Sequence, residues 1–327
     1  MKKILSYLAA GSLFFGACSD QDLIEKEEVV PTSPSAEVYS RMCATMEVLE
    51  AQLAANPGLQ DRMMAIENHT SRAIASGRLN AQGKIEIPVV VNVIYRTTAE
   101  NISDAQIQSQ IDVLNEDFNA TNADVTLTPS MFQGAVADMD LQFVLVGINR
   151  KKSTKKSWGT NDAMKKSSQG GINPTNPTEY LNIWVVNKMT SGRSTILGYA
   201  QFPGGSPSTD GVVIGYNFFG RTGTLSAPFN KGRTATHEVG HWLNLRHIWG
   251  DATCGNDFVS DTPSHNAYNY GCPSFPHYST CAGSPVEMTM NYMDYVDDAC
   301  MYMFTAGQKQ RTAAIFASGG PRASFAD

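Results

Sequence analysis

The apolar pattern of the chain strengthens abruptly at Lys84. Residues 85–95 read Ile-Glu-Ile-Pro-Val-Val-Val-Asn-Val-Ile-Tyr, a β-branched and partly alternating run that predicts a strand. Ser103-Asp104-Ala105-Gln106 then has the pattern of a capping box. Apolar residues then recur at helical spacing, which predicts a helix through Asn119. They are Ile107, Ile111, Leu114 and Phe118.

Further apolar segments predict four more strands, at residues 141–148, 181–186, 198–202 and 212–216. A strand, a helix and then several strands favour an α+β fold in which a twisted mixed sheet is backed by helices. Residues 37–77 are predicted to be helical, but their apolar faces are weak. From Trp249 to Thr305, Gly, Pro, Asn and Ser dominate, so little regular structure is expected there.

Composition excludes some classes of protein. The chain has 327 residues, 42% hydrophobic and 17% charged, which is typical of a globular protein of one large or two modest domains. Its net charge is −6 and its Lys and Arg residues are scattered, so no nucleic-acid partner is expected.

The N-terminus has the features of an export signal. Lys2 and Lys3 precede an apolar run at residues 4–15, which is too short to span a bilayer but suits a signal peptide, predicted here as residues 1–17. Cys18 follows two small residues and resembles the lipidated cysteine of bacterial lipoproteins. The chain is therefore predicted to be exported, with a lipid anchor at Cys18 as its contact with the membrane. The alternative is a plain secretory signal in which Cys18 is incidental.

The chemistry concentrates on residues 237–247. His237 and His241 are four residues apart, so on a helix they lie on one face and can bind one Zn²⁺. Glu238 occupies the general-base position of this motif. His247 can join the same ion only if the helix stops and the chain turns sharply after Leu243, and Asn244 tolerates the left-handed conformation that such a turn needs.

These residues resemble the zinc site of the metzincin peptidases, and specifically the pappalysin family. The resemblance extends to Met290-Asn291-Tyr292-Met293-Asp294-Tyr295, which is similar to the Met-turn, and to residues 297–301 and 304–308. It covers roughly residues 84–318 and departs from the general metzincin pattern at Asn244, where that pattern has Gly. Ordinary polar histidines on an amphipathic helix are the alternative, which the third histidine and the Met-turn disfavour.

The resemblance implies a zinc metalloendopeptidase of metzincin type. A tether and latency pro-segment would occupy residues 18–78, and the catalytic domain residues 79–327, with an upper part at 79–243 and an irregular lower part at 244–327. Met293 would form the floor beneath the metal. Tyr295 occupies the place of a metzincin tyrosine that stabilises the tetrahedral intermediate, although it could equally be a packed turn aromatic.

Protein or peptide substrates are expected along an edge strand that includes Gly198, Tyr199 and Ala200. Asp298, beside Asp297, lies near the expected pocket just after the scissile bond. A carboxylate there would prefer Arg or Lys. A solvated turn or a calcium ligand is the alternative.

The cysteines divide into two groups. Cys254, Cys272, Cys281 and Cys300 suggest two disulfides in an exported protein, and their spacing permits three pairings. The family resemblance implies Cys254–Cys281 and Cys272–Cys300. The lone Cys43 resembles a cysteine switch, in which a pro-segment thiolate occupies the open zinc position until cleavage near Arg72 or Arg78; the alternative is a buried or unpaired thiol.

Asp257, Asp261 and Thr262 offer hard oxygen ligands for a Ca²⁺ ion, the second cofactor that the sequence suggests. Two rival functions stay open at this stage. A surface-anchored binding protein could keep the zinc site without turnover, although Glu238 is present, and a zinc amidase could act on a non-protein substrate, against the Met-turn.

Overall fold

The fold was obtained as a computed structural model, which describes residues 40–77, 79 and 83–326. The predicted signal peptide, Cys18, most of the tether and Arg78 lie outside the described residues. Six α-helices occur in the described part, at Thr45–Ala55 (α1), Gly58–Ser76 (α2), Asp104–Phe118 (α3), Ser130–Gln133 (α4), Arg233–Trp242 (α5) and Ala306–Phe316 (α6). No helix of these residues is long and apolar enough to cross a membrane.

Seven strands form two sheets in the described part. They are Ile85–Tyr95 (β1), Leu141–Lys152 (β2), Leu181–Val186 (β3), Met189–Ser191 (β4), Ser194–Ile196 (β5), Gly198–Ala200 (β6) and Val212–Gly215 (β7). The main sheet has the order β2-β1-β3-β7-β6. Its first four strands are parallel, and β6 runs antiparallel to β7 at the edge. The expected α+β fold with a mixed sheet is confirmed.

The sheet owes its stability to the apolar residues that the sequence pattern marks. Ile107, Ile111, Leu114 and Phe118 of α3 are buried in the main core, where α3 packs against β2 and α5. Ser103 caps α3 by accepting a hydrogen bond from the Gln106 N–H. The Gln106 side chain does not complete a capping box, because it donates instead to the carbonyls of Tyr216 and Phe219.

Strand ends differ from their predicted positions by a few residues. β2 continues to Lys152 rather than 148, because polar residues 149–152 pair in register with residues 92–95 of β1. β6 and β7 end two residues and one residue earlier than predicted, at Ala200 and Gly215. The ends of these strands are therefore set by backbone pairing with neighbouring strands and not by side-chain polarity alone.

The lower region has little regular structure, as the sequence predicts. Two disulfides, Cys254–Cys281 and Cys272–Cys300, cross-link this region, and they join the cysteines in the pairing that the resemblance implies. The helix α6 follows, with a complete capping box between Thr305 and Gln308.

The helices α1 and α2 of the predicted pro-segment contact the sheet and α6 directly. Leu49, Leu59 and Met63 form a small apolar cluster with Phe202, just beyond the edge strand β6. The predicted weak apolar faces thus do find a partner. This cluster fixes the pro-segment across the side of the molecule where α5 lies.

Candidate active site

The helix α5 carries the first two histidines and is buried at every residue from Arg233 to Trp242. Arg233 fixes its beginning, since the guanidinium donates to both carboxylate oxygens of Asp124, each at 2.6 Å, and to the Asp298 carbonyl at 2.7 Å. His237 and His241 follow one turn apart on the same face. The helix is thereby held rigidly below the edge of the sheet.

A sharp turn after α5 brings in the third histidine. The helix ends at Trp242, and Asn244 has φ 72°, the left-handed conformation expected from the sequence. The Leu245 N–H donates back to the Gly240 carbonyl at 2.9 Å. Arg311 secures the turn by donating from Nε to the Asn244 carbonyl at 2.7 Å. The chain therefore reverses within a few residues.

The three imidazoles converge through their Nε2 atoms. Nε2 of His241 lies 3.2 Å from that of His237 and 3.0 Å from that of His247. Two ligands about 2.0–2.1 Å from a tetrahedral zinc ion would be about 3.3 Å apart, so the spacing fits. The three histidines and Cys43 are the one group of possible metal ligands found among the described residues.

The other ring nitrogen of each imidazole already has an acceptor. Nδ1 lies 2.7 Å from the Tyr292 carbonyl in His237, 2.8 Å from the Leu245 carbonyl in His241, and 2.5 Å from an Asp251 oxygen in His247. With the proton on each Nδ1, three Nε2 lone pairs face one point without a hydrogen between them. Such a set of acceptors needs a cation.

Burial keeps the rings of His237 and His241 neutral. It lowers the pKa of His237 and of His241 well below the ordinary value, and the neighbouring histidines lower both further. A neutral imidazole is the form that ligates zinc. The residues present therefore fit the metal.

Glu238 and Cys43 meet at the same point. The Cys43 thiol donates to Glu238 Oε2 at 3.3 Å, and the Thr45 hydroxyl donates to the same oxygen at 3.0 Å. The Cys43 sulfur and the three imidazole nitrogens all lie within 4.8 Å of one another. Burial raises the pKa of Glu238 to about 8 and that of the Cys43 thiol well above its ordinary value.

Residues 44 and 45 of the predicted pro-segment lie along the edge strand. The Ala44 N–H donates to the Gly198 carbonyl at 3.1 Å, and the Ala200 N–H donates to Thr45 Oγ1 at 2.9 Å. Gly198 is required to be small, since an added Cβ would lie 2.8 Å from Glu238 Cγ. The Tyr199 side chain is not brought to the cleft: it is buried behind the sheet, and its hydroxyl contacts Asp162.

Asp298 is buried and already paired. Arg41 donates from Nη2 to Asp298 Oδ1 at 2.5 Å and from Nε to the Val296 carbonyl at 3.0 Å. The other carboxylate oxygen accepts from the Lys231 N–H at 2.8 Å. The alternative of a solvated turn at Asp298 does not hold, since the side chain is fully buried. Sequence reasoning missed Arg41, although its place two residues before Cys43 was a usable signal.

The Met-turn lies beneath the histidines. Met293 is fully buried, and its sulfur would lie 2.5 Å from a Cβ added at Gly240. Tyr295 packs edge-on against the His247 ring, with centroids 4.9 Å apart, and its hydroxyl donates to the Cys43 carbonyl at 3.3 Å.

Further aromatic packing at His247 was not anticipated. Trp249 stacks on the His247 ring at 4.3 Å, with 9° between the planes. Trp249 in turn packs against Tyr295, with centroids 4.8 Å apart. The contacts with Trp249 and Tyr295 help to fix the orientation of the His247 ring, in addition to its hydrogen bond to Asp251.

The three residues expected to bind calcium do not converge. Asp257 accepts from the Thr262 hydroxyl at 2.8 Å. Asp261 turns away, since its two oxygens accept from the Thr305 hydroxyl at 2.7 Å and from the Gly307 N–H at 2.8 Å, at the beginning of α6.

Three imidazoles, a carboxylate after the first of them, a left-handed turn and a buried methionine beneath define a metzincin zinc metallopeptidase. Comparison with known proteins agrees with this class and identifies the family within it. The family model described as Pregnancy-associated plasma protein-A matches residues 169–317. The chain belongs to this family, the pappalysins, and is a metalloendopeptidase.

Two curated relatives are fungal proteins named "Extracellular metalloprotease". That of Arthroderma benhamiae is 32% identical over 253 residues, covering 75% of this chain and 82% of the relative. That of Verticillium alfalfae is 34% identical over 257 residues, covering 74% and 79%. The similarity thus spans most of both chains.

Solved structures are more similar still. Mature mirolysin of Tannerella forsythia in complex with a cleaved peptide is 47% identical, with a TM-score of 0.71, over 75% of this chain and 96% of that one. A mutant of Tannerella forsythia promirolysin is 43% identical, with a TM-score of 0.78, over 87% and 97%. The likeness to promirolysin therefore covers more of this chain.

Proposed function

We propose that this chain is the latent form of an exported zinc endopeptidase in which Glu238 is the general base and Cys43 maintains latency. The observation that carries the proposal is the convergence of three imidazole nitrogens, the Cys43 sulfur and the Glu238 carboxylate on one point. His237, His241 and His247 would hold the Zn²⁺ ion.

Zinc held by these three side chains would polarise the scissile carbonyl and make the attacking water more acidic. Glu238 would accept the proton of that water and pass it to the leaving amine. Its carboxylate is free for this role only when the Cys43 thiol and the Thr45 hydroxyl have been removed from Oε2. Departure of the pro-segment therefore both opens the metal site and frees the base.

Tyr295 is the proposed donor to the tetrahedral intermediate. Its hydroxyl already donates to a peptide carbonyl, that of Cys43, within the cleft. Burial raises the pKa of Tyr295 well above its ordinary value, so the hydroxyl keeps its proton at neutral pH. A protonated phenol at this position can stabilise a developing oxyanion.

Asp298 is the proposed determinant of specificity for Arg or Lys after the scissile bond. The Arg41 guanidinium supports this assignment, because it pairs with Asp298 and lies 4.9 Å from the centroid of the Phe229 ring. A substrate Arg would replace Arg41 once the pro-segment leaves. Peptides that differ only in Arg or Leu after the cut test this, and equal kcat/KM values would reject it.

Peptide substrates would pair with the edge strand at Gly198 and Ala200, whose backbone groups Ala44 and Thr45 use in the latent chain. The mirolysin structure with a cleaved peptide supports this class of substrate. Tyr199 would contribute only its backbone.

Export is supported by the names of the curated relatives and by the signal-like N-terminus. A lipid anchor at Cys18 is part of the proposal, in which the pro-segment would tether the enzyme until cleavage. Mass spectrometry of the N-terminal peptide from membrane and culture fractions tests it, because an unmodified Cys18 would exclude the anchor.

Calcium is proposed as a second cofactor at Asp257 and Thr262 alone. Burial raises the pKa of Asp257 to about 6, and a bound cation would offset this cost of burying the carboxylate. Added Ca²⁺ should raise the unfolding temperature of the zinc-loaded protein, and Asp257→Asn should abolish the increase. No change on adding Ca²⁺ would exclude the site.

Latency has a direct test. Cys43→Ala should hydrolyse a fluorogenic peptide without prior cleavage of the pro-segment, whereas the natural chain should not. Glu238→Ala serves as the inactive control, and equal latency of Cys43→Ala and the natural chain would refute the switch.

The whole proposal is tested by digesting casein with the matured chain, with and without a chelator, while zinc content is measured. Loss of activity on chelation and its return with Zn²⁺ are expected. A zinc-loaded chain that hydrolyses no polypeptide would contradict the proposed function.

A further inference from the structure

The helix α2 is attached to the rest of the molecule at its polar face. Arg62 donates from Nε to the Gly204 carbonyl at 2.8 Å, and His69 Nε2 lies 3.0 Å from the Ala314 carbonyl. Between these points Glu67 accepts two hydrogen bonds from Arg311, at 2.8 Å and 2.5 Å. Among the described residues, Glu67 is the one carboxylate of α2 that forms an ion pair in this contact.

Arg311 is fixed independently of α2. Only 2% of its side chain is exposed, and its Nε is bound to the Asn244 carbonyl. The two terminal nitrogens of Arg311 are therefore held in place, and each donates a hydrogen bond to one oxygen of the Glu67 carboxylate. Such a pair of hydrogen bonds recognises a carboxylate by shape as well as by charge.

A second guanidinium, that of Arg246, interacts electrostatically with the same carboxylate. Arg246 stacks over the Phe202 ring at 4.6 Å, and its buried Nε has no hydrogen-bond partner among the described residues. Burial lowers the pKa of Arg246, Glu67 raises it and Arg311 lowers it again. The three charges therefore form one electrostatic group, with one anion between two cations.

This group lies beside the cleft, on the side opposite Asp298. The Phe202 ring that carries Arg246 lies 5.3 Å from the His241 ring. Arg41 precedes Cys43 in the chain, whereas α1 and α2 follow it, so the two ends of the pro-segment occupy opposite sides of the metal site. By the proposed orientation of substrate, the arginine pair is on the side before the scissile bond.

Loss of the pro-segment would leave two arginines facing an open space. Asp251 and Asp257 interact electrostatically with the pair, yet neither forms a hydrogen bond to either guanidinium among the residues described. Two neighbouring guanidiniums without a hydrogen-bonded anion repel each other and attract a carboxylate from solution.

We propose that Arg246 and Arg311 form a carboxylate-binding subsite of the mature enzyme, which Glu67 fills in the latent chain and an acidic peptide side chain fills after maturation. The proposal rests on the proposed latency and cleft orientation. The carboxylate has two possible sources, a substrate residue or the released pro-segment. The test places the acidic residue four positions before the scissile bond, about 13 Å away along an extended chain at about 3.3 Å per residue.

The first arm of the test uses the matured chain and two fluorogenic peptides. Both carry Arg after the cut, and they differ only in Glu or Gln four positions before it. We expect kcat/KM to be about tenfold higher for the Glu peptide at low ionic strength and the ratio to fall with added salt. Arg246→Gln should reduce the ratio towards one, and Arg193→Gln, at an exposed turn between β4 and β5, should not.

The second arm compares the natural chain with Glu67→Gln. Both give the same mature domain, and only the released pro-segment differs. If Glu67 returns to the arginine pair, the natural digest is inhibited until the pro-segment is removed by gel filtration, and the Glu67→Gln digest is not.

Discrimination in either arm supports the subsite and names the source of its carboxylate. Equal kcat/KM for the two peptides, together with equal activity of the two digests, overturns it. If neither peptide is hydrolysed, the proposed function fails instead. Fluorescence anisotropy of the same labelled peptides with the matured chain then decides the subsite without turnover, because only a carboxylate site binds the Glu peptide more tightly.

Discussion

Asn244 offers a quantitative test of how the third histidine reaches the metal site. The residue holds φ 72° and is 2% exposed, and its side-chain Nδ2 has no hydrogen-bond partner among the described residues. Its carbonyl, in contrast, is bound by Arg311. The backbone conformation is therefore what the site needs, and the amide side chain is not.

Replacing Asn244 with Gly should stabilise the protein. The change removes left-handed strain of about 1 kcal/mol at a residue with a Cβ and an unpaired buried donor that costs about 1–3 kcal/mol. Against this, Gly adds about 0.5–1 kcal/mol of unfolded-state entropy, and the lost packing costs about 1 kcal/mol. The expected net gain is about 1 kcal/mol, or a rise of about 2–4 °C in the unfolding temperature.

Asn244→Ala is the matched control. It removes the same amide but keeps a Cβ in the left-handed conformation, which costs about 1–2 kcal/mol. After deduction of about 0.5–1 kcal/mol for the unfolded-state entropy of Gly, it should be about 0.5–1 kcal/mol less stable than Asn244→Gly. Both variants would be measured by thermal and urea unfolding in a Glu238→Ala background, where the chain does not digest itself. Zinc content should stay the same in Asn244→Gly.

Two results would refute this reasoning. Asn244→Gly could be less stable than the natural chain by more than about 1 kcal/mol, which would mean that the Asn side chain holds the turn. Alternatively Asn244→Ala could match or exceed Asn244→Gly, which would mean that the left-handed conformation is not what limits the residue.

Three further predictions concern residues around the site. Tyr295→Phe should lower kcat by about 10²-fold and leave KM unchanged, because only the transition state needs the donor; a larger effect on KM in peptide kinetics would contradict this. Burial raises the pKa of Asp117 to about 6, above the unfolded value, so its contribution to stability is present below about pH 4 and is lost as the pH rises through 6. Asp117→Asn should therefore gain about 3 kcal/mol relative to the natural residue between pH 4 and pH 8 in urea unfolding, and a pH-independent difference would be the contrary result. The bridges Cys254–Cys281 and Cys272–Cys300 enclose 27 and 28 residues, and replacing either pair by Ser should cost about 3–4 kcal/mol, with peptide mapping of the natural chain recovering both pairs.

The sequence predicts the ends of a strand most accurately where both faces of the strand are buried. Ile85–Tyr95 begins and ends where the β-branched run does, because this central strand is covered by helices on one side and by further chain on the other. The end of β2 could not be predicted, since residues 149–152 are polar and owe their strand conformation to their partners in β1.

The parts of the site that could be predicted are those whose residues lie close together in the sequence. The shared face of His237 and His241 follows from helix periodicity. The turn at Asn244 follows from the position of His247 and from the tolerance of Asn for the left-handed conformation. The pairing of Arg41 with Asp298 spans 257 positions of the chain and leaves no local pattern. The same is true of the Tyr292 carbonyl and Asp251, which orient two of the imidazoles.

Alternation along a strand explains why Tyr199 was misleading. Gly198 and Ala200 share one side of β6, which the pro-segment covers, and the Tyr199 side chain points to the other. The motif at residues 198–200 thus predicts a strand at the edge of the sheet, but it does not predict which of its side chains face the cleft.

The contact between Gly240 and Met293 restricts how the catalytic helix can be redesigned. A methyl group at position 240 would occupy the place of the methionine sulfur, so a library randomised at either position alone should return mainly the natural residue. Randomising both together should recover pairs of similar summed volume, such as a larger residue at 240 with a shorter one at 293. Engineering of this enzyme would then have to treat two segments, 53 positions apart in sequence, as one design unit.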